Sequence, residues 1–356
     1  MSESLTPRQR WLAILRREKF DRLPMDYWAT REVTEKLLKY LKCSDELELY
    51  EKLHIDKAFS VGPKYVGPPL PKNTDIYGCK YEPVKYRDGI YYECVYHPLA
   101  KYESVKEIEE NYEWPTVDLF DYTVIREQIK GKEKYPIVGG GSEPFLVYKK
   151  LRGEMQAYRD LIKHPDIVEY CLDKLFDFCY ENTLRIYKEG AGRILLSYVA
   201  EDMGSQNDLL YSPKHIRRYL IPRMKRMIDL AHRHGVYVFH HNDGAIRRIL
   251  PDMVKAGIDI LNPVQWRCKG MDREELKREF GDKIVFHGAM DNQYTLPFGS
   301  PEEIKQEVIY NIRVLGRGGG YILAPCHNIQ PNTPIRNILT MYETGYKYGW
   351  REYLEY

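Results

Sequence analysis

The stretch "VYVFHHNDGAIRRIL", residues 236 to 250, carries two imidazoles and a carboxylate where an apolar run opens into a polar loop. In extended geometry residues two apart share a face, so His241 and Asp243 point the same way while His240 points to the other side. His-x-Asp in that setting is a candidate pair of metal ligands. Zinc accepts imidazole nitrogen, carboxylate oxygen and thiolate, and a catalytic zinc keeps one position open. His327, or its neighbour Cys326, near the end of the chain could supply a third ligand. The same spacing is also compatible with plain hydrogen bonding, and His240 is expected to pack away from the site.

Such residues need strands to carry them. Short apolar runs alternate with long amphipathic helical patterns, the mark of a parallel α/β architecture. Eight strand candidates can be read: "RLPMDYW" (22–28), "IDKAFSV" (55–61), "YPIVGGG" (135–141), "RILLSYV" (193–199), "VYVFHH" (236–241), "IDILNP" (258–263), "KIVFHGA" (283–289) and "GYILAP" (320–325). Eight strands with intervening helices predict a single (β/α)8 TIM barrel over residues 1–356. Between 62 and 134 the pattern changes: "YGCKYEPVKYRDGIYYECVYHPLAKYESV" alternates about a turn at Asp88 and Gly89, predicting a β-hairpin inserted after the second strand as a rim or lid.

In barrels of this kind the active site is built at the carboxyl ends of the strands. The residues there are strongly polar: Asp26, Tyr27 and Arg31 after the first strand, Glu143 after the third, Glu201 and Asp202 after the fourth, Asn262 and Gln265 after the sixth, His287 and Asp291 after the seventh. Convergent ionisable groups over an apolar floor are the expected form of an enzyme site. Of the glycine-rich pieces, "LGRGGGYILAP" lies before its strand and reads as a tight helix-to-strand turn. "VGGGSEP" lies after its strand and suits close ligand approach.

Composition narrows the function classes. The 356 residues are 43% hydrophobic, enough for a large core, and Lys plus Arg 54 against Asp plus Glu 52 leaves a net charge of +2. No global field favours nucleic acid or a membrane surface. No apolar run approaches the roughly 20 residues that span a bilayer, and the N-terminal segment reads as an amphipathic helix, so a cytoplasmic protein acting on a small molecule is expected. Seven cysteines form no CxxC pair, which fits reduced thiols. Many of the thirty-one tyrosines cluster between Tyr77 and Tyr122, as a β-rich hairpin surface or as an aromatic wall over a ligand.

Several motifs together resemble the uroporphyrinogen decarboxylase superfamily, including its corrinoid-dependent methyltransferases: "LRGEMQAYRDLIKHPD", "HNDGAI", "GIDILNPVQ", "FHGAMDNQYTLPFGSPEEI" and "GGGYILAPCHNIQPNTPIRNI". The resemblance implies a distorted (β/α)8 barrel. Decarboxylases of the family carry an Arg-rich "RQAGR"-like loop for the many carboxylates of their tetrapyrrole. Here that region reads "DYWATREVTEKL", with Arg31 alone. The methyltransferase branch ends its fifth strand in a His-x-Cys zinc motif, in whose place this sequence has His241, Asn242 and Asp243, and its last motif aligns on His327-Asn328-Ile329, with His327 where that branch has a thiolate and the decarboxylases a His. The resemblance thus implies zinc held by His241, Asp243 and His327, with Glu201 as a further candidate and Cys326 as the alternative. Asp202, Glu143, Asp26 and Arg31 become the catalytic candidates, and Tyr27, Asn262, Gln265, His287 and Asp291 the substrate-binding ones. The expected reaction transfers a methyl group from a small methylated compound, such as a methoxylated aromatic, to a corrinoid protein. No corrinoid domain is present in the chain, so the corrinoid would ride on a separate partner; a homodimer is also implied. Tetrapyrrole decarboxylation and a non-catalytic metabolite-binding barrel are the alternatives.

Overall fold

The computed structural model describes residues 3–86 and 89–354. Seven parallel strands form one sheet in chain order: β1 (Phe59–Val61), β2 (Ile137–Ser142), β3 (Leu196–Val199), β4 (Tyr237–His241), β5 (Ile260–Asn262), β6 (Val285–Met290) and β7 (Tyr321–Pro325). Every residue of β5, β6 and β7 is buried, because helices cover the outer face while the inner face is packed or lines the site. Such strands read as continuous apolar runs rather than alternating ones. The sheet curls into a TIM-like barrel.

The expected first strand, residues 22–28, departs from regular geometry. It makes isolated parallel bridges, Met25 to Leu323 and Ala29 to Ile329, instead of a ladder. The cause is local: Pro24 has no N–H to donate, and the Met25 N–H goes to the Asp56 carboxylate at 3.0 Å. The segment nonetheless touches both edges of the sheet. Asp26 N–H donates to Leu323 O at 2.8 Å on the β7 side, and Asp56 N–H donates to Met25 O at 2.6 Å just before β1.

Helices on the outside begin and end as their residues dictate. Ser300 caps Pro301–Leu315 in a reciprocal pair with Glu303, and Gly316 follows. The three glycines 318 to 320 then turn the chain into β7 at positive φ, as expected for "GRGGG". After Gly244 the Ala245 N–H is drawn across to Ser205 O at 2.7 Å, and the next helix begins only at Leu250.

Within 62–134, Lys80–Tyr86 pairs antiparallel with Gly89–Tyr96, and Lys64–Tyr65 pairs with Phe120–Asp121. Asp88, half of the expected turn, lies outside the described residues. Arg152, buried against Asp160 at 2.7 Å, donates to the carbonyls of Leu99 and Tyr102 and so ties this segment to the helix Pro144–Arg152. The tyrosines here serve packing: Tyr77 meets Phe178, and Tyr112 meets Trp114, over the long helix Pro165–Gly190. All seven cysteines are free thiols, and among the described residues no helix is long and apolar enough to cross a membrane.

Candidate metal centre

Alternation along β4 decides which histidine faces inward. Phe239 and His241 share the inner face, and His240 takes the other. His240 is wholly buried, hydrogen-bonded through Nδ1 to Val199 O at 2.7 Å, and burial lowers its pKa to about 4. It is a neutral structural group. The loop beyond is fastened to the loop after β3: Asn242 Oδ1 accepts from Met203 N–H at 2.9 Å, and Asp202 Oδ1 accepts from Asp243 N–H at 3.1 Å. Gly244 makes this possible, with φ at +88° and its backbone so close to Gly204 that a Cβ would lie 2.5 Å from the Gly204 carbonyl carbon.

One ligand atom each from His241, Asp243 and His327 lie within 4.8 Å of one another. His241 Nε2 is 3.8 Å from Asp243 Oδ1 and 3.8 Å from Asp202 Oδ1. Asp243 Oδ1 is buried and accepts no hydrogen bond from any described group. Burial raises the pKa of this carboxyl against the pull of His241. A buried carboxylate oxygen without a donor is costly, and a cation between it and the two imidazoles would relieve that cost. The donor set, two nitrogens and one carboxylate, fits zinc. Glu143 stands near, its carboxyl raised by burial and by Asp202.

Behind His241 runs a chain of buried side chains from β5, β6 and the 22–28 segment. Its Nδ1 is 2.5 Å from Asn262 Oδ1, Asn262 Nδ2 is 2.6 Å from His287 Nδ1, and His287 Nε2 is 3.1 Å from Asp26 Oδ2. Asp26 also accepts from Trp28 Nε1 at 2.9 Å and from the N–H groups of Tyr27 and Ala58 at 2.8 and 3.2 Å. Burial opposes ionisation of Asp26, yet Lys57 at 3.9 Å and His287 outweigh it and hold the pKa at about 2.

A cavity of about 370 Å³ opens beside this centre, lined by Trp28, Tyr198, Phe239, Lys57, Asp26 and Ser60 among others. Trp28 and Tyr198 both stack on the His241 ring, at 5.8 and 5.7 Å between centroids. Tyr198 pairs with Phe239 across β3 and β4, and Phe239 is two residues before His241, so alternation from His241 was the signal that could have found both. Trp28 and Lys57 carried no such signal. Gly139 and Gly140 of "VGGGSEP" also border the cavity.

The structure brings together His241, Asp243, His327, Asp202 and Glu143, with Asp26, Asn262 and His287 behind them. Other candidates it places elsewhere. Arg31 projects into solvent from the helix Arg31–Leu41 and pairs with Glu35 one turn on, at 2.7 Å. Glu201 is buried, its N–H on His241 O at 3.1 Å and its Oε1 accepting the Phe145 N–H at 2.6 Å at the start of a helix. Cys326 is buried with its thiol on Val264 O at 3.4 Å, and burial pushes its pKa well up. Tyr27 bonds Thr34 at 2.9 Å, Gln265 accepts from Gly244 N–H at 2.6 Å, and Asp291 holds Arg267 at 2.6 Å and the amide of Thr295 at 3.0 Å. These three are tied into the framework by the bonds they make.

A curled parallel α/β sheet with histidines and carboxylates gathered at its strand ends defines the class of protein. A model of the uroporphyrinogen decarboxylase (URO-D) family matches residues 83–348, and the chain belongs to that family. It is 29% identical over 215 residues to a methylcobamide:CoM methyltransferase MtaA of Methanosarcina barkeri, a match covering 60% of this chain and 58% of that one. It is 24% identical over 260 residues to a uroporphyrinogen decarboxylase of Pseudoalteromonas translucida, covering 67% of each. The chain thus spans under two thirds of the length of the methyltransferase it matches. In three dimensions it resembles a methyltransferase from Methanosarcina mazei, with a TM-score of 0.69 and 21% identity over 97% of this chain and 99% of the other.

Proposed function

We propose that this protein is a methyltransferase, a (β/α)8 barrel of one unit over residues 1–356 with 22–28 as its first stave and 62–134 as its rim. It transfers a methyl group from a small methylated compound to a corrinoid carried by a separate protein. The observation that carries this reading is the convergence of His241, Asp243 and His327 within 4.8 Å, beside a cavity walled by aromatic rings. The 29% identical relative is named a methylcobamide:CoM methyltransferase, which supports corrinoid-linked methyl transfer, in that protein with the corrinoid as donor.

His241 Nε2, Asp243 and His327 would hold zinc, and Glu201 and Cys326 are left out of the ligand set. When bound, zinc supplies Lewis acidity to the heteroatom that loses its methyl group. The remaining work falls to the chain. Trp28, Tyr198 and Phe239 hold a flat ring and exclude water, which suits a methoxylated aromatic donor. Glu143, biased toward its acid form by burial and by Asp202, delivers a proton to the oxygen released when the carbon–oxygen bond breaks. The methyl group goes to the reduced cobalt of the partner, so bonds and charges balance.

Tetrapyrrole decarboxylation fits less well. A substrate with eight carboxylates calls for several cations, whereas Lys57 is the one cation among the described residues lining the cavity, and Arg31 faces solvent. The test is to mix zinc-loaded protein with reduced cobalamin and a panel of aromatic methyl ethers and to follow methylcobalamin by absorbance. Methylcobalamin formation is expected. Its absence with every donor, together with turnover of uroporphyrinogen, would replace this reading by the decarboxylase.

A further inference from the structure

We propose that Asp26, acting through His287 and Asn262, fixes His241 as its Nδ1–H tautomer and thereby turns the Nε2 lone pair toward Asp243 and His327. Asp26, His287 and Asn262 are positioning residues, none of them a ligand. This deepens the metal reading above and rests on it for its consequence, though the tautomer itself does not.

The argument follows the hydrogen bonds outward from the one group whose polarity is fixed. Asp26 is ionised and can only accept, and its neighbour at 3.1 Å is His287 Nε2, which therefore carries a proton. His287 is fully buried, a setting that disfavours a second proton. Its Nδ1 is then an acceptor. Only the Nδ2 amide of Asn262, 2.6 Å away, can donate to it, which turns Asn262 Oδ1 toward His241. An oxygen acceptor 2.5 Å from His241 Nδ1 requires the proton on that nitrogen. Neutral histidine in water favours the opposite tautomer, with Nε2 protonated. Without the relay, His241 would point an N–H at the carboxylates of Asp202 and Asp243. With it, the nitrogen 3.8 Å from Asp243 Oδ1 is the one with a free lone pair. Outer partners of this kind set ligand orientation and basicity.

Two isosteric variants separate this from a merely structural role. In Asp26→Asn the N–H groups of Tyr27 and Ala58, two against the single Trp28 Nε1–H on the other oxygen, claim the side-chain oxygen, so the amide NH2 faces His287, and every bond in the relay reverses. In Asn262→Asp both oxygens accept, so His241 keeps its Nδ1 proton while His287 becomes doubly protonated.

The experiment is imidazole nitrogen NMR on full-length, metal-free protein with labelled histidines, together with zinc affinity by chelator competition. The wild type is expected to show His241 protonated on Nδ1 and His287 on Nε2. Asp26→Asn should move the His241 proton to Nε2 and weaken zinc binding about 10–100-fold. Asn262→Asp should leave His241 unchanged and hold zinc affinity within a few-fold. If Asp26→Asn does not fold, Asn262→Leu takes its place, with the same loss expected. A wild-type His241 protonated on Nε2, or a His241 tautomer that ignores these substitutions, would overturn the proposal. Predicted tautomers in a wild-type protein that binds no zinc would sustain the relay and sink the metal reading instead.

Discussion

Trp28 stacks on His241 with ring centroids 5.8 Å apart and planes inclined by 27°, so the wall of the cavity is also the packing surface of a proposed ligand. Stacking of an aromatic guest on such a wall contributes about 0.5–1.5 kcal/mol. Trp28→Leu should therefore weaken binding of an aromatic methyl ether roughly three- to tenfold, measured by calorimetry, while metal content stays as in the wild type. Unchanged binding would mean that the donor sits elsewhere.

Asp56 is the clasp that holds the irregular first stave. Its carboxylate is fully buried and takes the guanidinium of Arg22 at 2.7 Å, that of Arg10, and the Met25 N–H. Removing one partner of a buried ion pair costs about 3–5 kcal/mol, because the remaining charge stays desolvated. Asp56→Ala should lower the urea midpoint accordingly, with no change in slope. A loss below about 1 kcal/mol would show that the two arginines find other partners.

Glu201 gives a stability signature in pH. Burial raises its pKa well above the carboxylate range, with the Phe145 N–H opposing and the charge of Glu143 adding to the rise. The folded state thus holds a proton that the unfolded chain releases at a lower pH. Its stabilising share is complete below the unfolded pKa and is lost as pH rises through the folded one. Glu201→Gln keeps the shape and removes the titration, so the variant should gain stability relative to wild type on going from pH 5 to pH 8. Parallel urea curves at the two pH values decide this, and an identical dependence would contradict it.

Much of the site was legible because it depends on spacing within one strand. His241 and Asp243 at i and i+2 share a face, His240 takes the other, and Gly244 permits the turn. His327 came from a motif match. What could not be read was long-range. The relay joins Asp26, Asn262 and His287 across the 22–28 segment, β5 and β6, a matter of register between segments rather than of any one of them. Arg31 faces solvent, and Glu35, four residues on, marks it as one half of an exposed helical ion pair. Nothing local to Glu201 tells that its carboxylate takes the Phe145 amide. The first strand was expected as a regular ladder, but Pro24 and Asp56 together divert its hydrogen bonds.

The measurement that bears most directly on the central claim is metal content by elemental analysis of untagged protein, wild type beside His241→Ala, Asp243→Ala and His327→Ala, each checked for its fold by circular dichroism. About one zinc per chain in the wild type, lost in each folded variant, is the expected result. A wild type without metal, or variants that retain it, would contradict the metal centre and leave His241, Asp243 and His327 as a hydrogen-bonding cluster.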